Sequence, residues 1–65
     1  MLLLNKNAGD TAIISKNKNP QLEVKGFKTG VAITIDKKTN NDFVIDLNGN
    51  KYRITATQAR QINVY

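Results

Sequence analysis

The side chains equipped for chemistry in this 65-residue chain are ten cations, eight Lys and two Arg, set against five carboxylates, with no Cys and no His. Lacking thiols and imidazoles, the chain cannot form the common zinc and iron–sulfur ligand sets. It also has no thiol nucleophile and no imidazole general base. The carboxylates Asp10, Glu23, Asp36, Asp42 and Asp46 are scattered along the chain. No phosphate-binding loop, dinucleotide fingerprint, calcium loop or nucleophile elbow accompanies them. We therefore expect no enzyme activity, no cofactor and no small-molecule substrate. The formal charge of +5 favours a polyanionic partner through counterion release; the plainer reading is solubility. Arg53 is the better nucleic-acid contact, because its planar fork pairs bidentately and stacks. Lys16 and Lys18 could touch phosphate or simply be solvated, and Gly9-Asp10-Thr11 reads as a turn rather than an anion site.

The elements that must position these groups are short strands. Apolar residues recur at period two in runs separated by Gly, Asn, Pro and Lys, the pattern of half-buried strands. We place strands near residues 1–6, 11–15, 21–28, 31–36, 42–47 and 51–55. The clearest local signal is Leu47-Asn48-Gly49-Asn50, since Asn-Gly supplies the two positive-φ positions of a type I′ hairpin turn. Pairing Leu47 with Asn50 sets Asp46 opposite Lys51, Ile45 opposite Tyr52, Val44 opposite Arg53 and Phe43 opposite Ile54. One face is then apolar, Tyr52 included, and the other carries a cross-strand charge pair. A second hairpin through Thr29-Gly30 would share a face of Leu22, Val24, Val31, Ile33 and Ile35. It would also oppose Glu23 to Asp36, which is unfavourable, so a bulge or longer loop is expected there. Thr55 and Gln58 have capping-box spacing for a short C-terminal helical turn, with Ala59 and Ile62 facing the sheet.

These elements predict an all-β fold: one domain, residues 1–65, built as a small antiparallel sheet or barrel of five to six short strands with a C-terminal helical turn. A chain this short buries only about 60% of its unfolded surface. With no disulfide or metal staple, self-association into a homodimer is expected. No apolar run reaches the roughly 18 residues of a membrane span, and we expect a cytoplasmic protein that does not associate with membranes.

The segment Met1-Leu2-Leu3-Leu4-Asn5-Lys6-Asn7-Ala8-Gly9-Asp10-Thr11-Ala12-Ile13-Ile14 resembles the opening of the carbon storage regulator family of bacterial RNA-binding proteins. Leu22 to Lys28 and Thr29 to Ile35 are similar to that family's next two strands. The resemblance implies a homodimer of interleaved strands, the first and last strands of opposite chains lying side by side. Such dimers bind GGA-containing RNA hairpins and thereby repress or otherwise regulate translation. It implies RNA contacts from Leu4, Asn5 and Lys6 on the first strand, with Arg53 or Arg60 adding basic contacts from the C-terminal region. Lys6 stands where that family has an Arg, Asn7 and Ala32 replace further basic residues, and the C-terminal stretch departs from its pattern.

Three functions follow as expectations. The first is an RNA-binding translational regulator that acts as a homodimer. The alternative is a structural or protein-interaction β module that self-assembles or binds another protein without nucleic acid, its lysines serving solubility. The third is a β-ribbon reader of duplex DNA.

Overall fold

A computed structural model describes all residues, 1–65. The chain runs from a 3-10 turn (Leu3–Asn5) through β1 (Thr11–Asn17), α1 (Pro20–Val24), β2 (Ala32–Lys38), β3 (Asp42–Leu47), β4 (Asn50–Thr55) and α2 (Ala56–Ala59) to β5 (Ile62–Val64). The strands form a single antiparallel sheet in the order β4-β3-β2-β1-β5. The all-β reading therefore holds. Ser15 on β1 and Asp36 on β2 are extra residues in their ladders, and such bulges bend a strand and increase its twist. The sheet is curled accordingly. Its extents of 23 × 23 × 20 Å leave no thin dimension, whereas a flat sheet would be about 10 Å thick.

Curling brings the inward positions of all five strands onto one core. Fourteen residues are buried, every one of them apolar. Ala12 and Ile14 come from β1, Ile33 and Ile35 from β2, Phe43, Ile45 and Leu47 from β3, Ile54 from β4, and Ile62 and Val64 from β5. Leu3, Leu22, Phe27 and Ala59 close the ends.

The β3–β4 hairpin has the register read from its sequence, from Leu47 opposite Asn50 to Phe43 opposite Ile54. Asn48 (φ 54°) and Gly49 (φ 87°) both adopt positive φ, as a type I′ turn demands. Tyr52 packs on the core with its ring 5.4 Å from that of Phe27 at 71°, an edge-to-face pair. The capping box also forms: the Gln58 amide donates to Thr55 Oγ1 and the Thr55 amide donates to Gln58 Oε1. Helix α2 ends at Ala59, however, and Ile62 is buried from a fifth strand that alternation over three residues was too short to announce.

Two expected strands are not strands. Residues 1–6 contain three consecutive leucines, and Leu3 is fully buried while Leu2 and Leu4 are half-buried. Burial on three successive positions suits a turn wrapping over a barrel end better than a one-sided strand of period two. Residues 21–28 fold as α1 and its exit turn. Asn19 caps the helix, its side chain accepting from the Leu22 amide at 3.1 Å, and Pro20 occupies the first helical position. Asn-Pro is a helix start as well as loop chemistry. Leu22 is buried and Val24 is 85% exposed, so the expected shared face with Val31, Ile33 and Ile35 does not exist. Glu23 leaves the sheet and never opposes Asp36.

The first and last segments do lie side by side, within the one chain. Leu2 bridges to Asn63, the Val64 amide donates to Met1 O at 2.7 Å, and β5 pairs with β1. The chain's own β5 thus occupies the position that the interleaved arrangement assigned to a partner's last strand. No helix is long and apolar enough to cross a membrane.

Candidate protein-interaction surface

The surface carries no pocket, so its binding chemistry lies in exposed side chains and their placement. The five residues expected to contact RNA occupy three separate elements. Leu4 and Asn5 sit in the 3-10 turn, followed at its C-terminal end by Lys6; Arg53 lies on β4 opposite Val44; Arg60 terminates α2. Leu4 is half-buried and packs against the core rather than presenting itself on a strand. The carbonyls of Leu4 and Lys6 both accept from Lys38 Nζ, at 2.9 and 2.8 Å, and that ammonium also lies 5.3 Å from the centroid of the Phe43 ring. Lys38, which the sequence reading passed over, is therefore the tie that holds the N-terminal turn to β2. Composition cannot reveal it, because its acceptors are main-chain atoms more than thirty residues away.

On the outer sheet face Lys51 bridges two carboxylates, Asp36 at 3.1 Å and Asp46 at 3.3 Å. The Asp46–Lys51 pair follows from the hairpin register; Asp36 joins it because β2 lies on the other side of β3. The Gly49 amide donates to Asp46, and with Lys51 beside it this holds the Asp46 carboxyl below its ordinary range. The two carboxylates, Asp36 first, push the Lys51 ammonium up. Asp10 serves its turn, accepting from the Asn7 amide at 2.8 Å; the turn reading of Gly9-Asp10 is thus realised.

At the opposite end, three polar side chains knit the β1 exit, α1 and the α2–β5 junction together. Asn17 donates to Phe27 O at 2.7 Å and accepts from the Asn19 amide. Asn19 in turn donates to Gln61 Oε1 at 2.8 Å, and the Lys18 amide donates to Gln61 O. Lys16, Lys18, Lys28 and Arg60 immediately flank the residues of this knot, and Lys25 closes α1; all five are exposed. Arg60 belongs to this group, while Lys6 and Arg53 belong to the rest of the surface. In the sequence Lys16 and Lys18 are candidate phosphate contacts or solvated lysines, and nothing local links them to residues 25, 28 and 60.

No protein-family model matches this sequence, and no curated protein matches it. Its fold does match solved structures. The solution structure of the FeoA protein from Chlorobium tepidum superposes with a TM-score of 0.89 at 21% identity, covering 100% of this chain and 69% of that one. The crystal structure of an iron uptake regulatory protein, also FeoA, gives 0.89 at 18% identity, covering 98% of this chain and 93% of that one. The chain has the FeoA fold, an SH3-like small β domain. These matches overturn the resemblance to carbon storage regulators and, with it, GGA-hairpin binding and translational regulation. The N-terminal similarity was one of apolar alternation around Gly turns, which small β domains of different topology share. Where it required strands at residues 1–6 and 21–28, the chain has a 3-10 turn and a helix. The RNA contacts expected of Leu4, Asn5, Lys6, Arg53 and Arg60 thereby lose the resemblance that implied them.

Proposed function

We propose that this chain is a non-enzymatic, cytoplasmic protein-interaction module that acts in iron uptake by docking on another protein. The observation that carries the reading is the correspondence of essentially the whole chain to FeoA structures, one of them described as an iron uptake regulatory protein. The residue chemistry supports docking rather than iron handling. The chain has neither Cys nor His, and no three of its carboxylates come together as a metal-ligand group. Asp36 and Asp46 are both engaged by the Lys51 ammonium. A small barrel with a continuous apolar core and an exposed, charged surface suits recognition of a macromolecule, since drug-sized ligands require concave sites. The test is removal of the chain from its host under iron limitation, followed by measurement of cell-associated iron. Uptake should fall and be restored by the wild-type chain; unchanged uptake refutes the reading.

A further inference from the structure

We propose that the end of the barrel around the Asn17–Asn19–Gln61 knot docks an acidic protein surface, with exposed Val24 as the apolar centre of the contact. This rests on the protein-module reading above and names the surface and the chemistry of its partner.

Lys16, Lys18, Lys28 and Arg60 each adjoin a residue of the knot, and Lys25 closes the helix that Asn19 caps, where Glu23 is the one carboxylate. Lys51, by contrast, is tied to Asp36 and Asp46. None of the five cations is committed to an ion pair. The knot holds the backbone beside them, so their side chains, rather than the backbone, are left to order at the moment of binding.

Val24 separates the possible polyanions. It is 85% exposed, the most exposed large apolar side chain of the molecule, and its chain neighbours are Glu23 and Lys25. An apolar anchor within a charged rim is the anatomy of a protein–protein contact. A phosphate backbone would use the cations and leave Val24 without a partner. A membrane surface needs a broad apolar helix face, and α1 has five residues with one exposed valine. The partner is therefore a protein patch rich in Asp and Glu that surrounds an apolar recess, reached by electrostatic steering.

The test uses the full chain, 15N-labelled, and a synthetic twelve-residue peptide of Asp and Glu interspersed with Leu. Amide shifts should concentrate at Lys18, Val24, Lys25, Lys28 and Arg60. The double reversal K25E/K28E should weaken binding by about tenfold or more, while K37E/R53E, an equal change of charge on the other part of the surface, should leave it within about twofold. Val24→Ser should weaken the Leu-containing peptide and leave an all-Glu peptide unaffected. Equal weakening by both reversals overturns the proposal, as do shifts centred on Asp36 and Lys51. So does tighter binding of a stem-loop RNA or of phosphatidylserine vesicles than of the peptide. In the host, K25E/K28E should fail to restore iron uptake. Full restoration by that variant refutes the surface and leaves the module reading standing, whereas a deletion without phenotype refutes the module.

Discussion

Gly26 follows the end of α1 at φ 113°, and a Cβ built there would stand 3.0 Å from Leu47 Cδ2. Both the positive φ and the neighbouring buried leucine demand glycine. Gly26→Ala should cost about 1–3 kcal/mol, measured by urea unfolding; Gly30→Ala, with open space around its Cβ, should cost less because it meets only the backbone penalty. The Asp46 carboxylate makes a prediction in pH. Its acidity is raised in the fold first by the Gly49 amide and then by Lys51. A carboxylate whose folded pKa lies below its unfolded value contributes stability above that unfolded value, about 3.9, and loses it as pH falls through the folded one. Asp46→Asn should therefore be less stable than the parent at pH 6 and approach it near pH 2. A stability difference that is the same at both pH values would rule this out. Lys51, raised by Asp36 and then Asp46, has the opposite sign: its contribution is complete below about 10.4 and is lost as pH rises past its higher folded value.

Among the elements, the β3–β4 hairpin and α2 are locally encoded. Asn-Gly sets the turn, and six alternating residues on each side set the register; in α2 both capping partners lie within four residues. Such elements should answer to local changes in local amounts. Thr55→Ala removes the cap of a four-residue helix and should cost about 1 kcal/mol. Hydrogen exchange should show the loss confined to α2 and the start of β5; a loss spread over the whole sheet would contradict it. Helix α1 is the instructive failure. Its apolar positions Leu22 and Val24 fit period two as well as anything, and only the Asn19 cap and Pro20 point to a helix. Over five residues, two apolar side chains cannot distinguish the periods of helix and strand. What decided it was tertiary: only Leu22 had a place in the core.

For the molecule as a whole, the decisive feature is that the chain's two ends pair with each other at the β5 edge of the sheet. Met1 and Leu2 pair with β5, Leu3 plugs the core beneath them, and Lys38 ties the turn to β2. Leu3→Ala should destabilise the domain by about 2–5 kcal/mol, as expected for a buried leucine in a small core, with the whole sheet unfolding in one transition. A midpoint within error of the parent would show the N-terminal turn to be dispensable. Lys38→Met, which keeps a long unbranched side chain and removes the two hydrogen bonds, should loosen residues 1–6 in hydrogen exchange and leave the β2–β3 ladder protected. Unaltered exchange at residues 1–6 would show that Lys38 is no tie.

By itself the sequence determined the all-β class, the β3–β4 hairpin with its register and charge pair, the α2 cap and most of the core. Each of these depends on neighbours within a dozen residues, where alternation and turn chemistry are readable. The strands at residues 1–6 and 21–28 were misread because three successive leucines, or two apolar residues beside Asn-Pro, are compatible with more than one local structure. The candidate surface was not legible at all. Lys16, Lys18, Lys25, Lys28 and Arg60 span forty-five positions, and Asn17, Asn19 and Gln61 bring them together through bonds across the barrel end. The chemistry present was thus a property of the residue types, ten cations with no thiol or imidazole. Which cations adjoin one another, and that Val24 stands exposed, was decided only by the tertiary contacts that join β1, α1 and the α2–β5 junction, because neighbours in space are not encoded by periodicity along the chain.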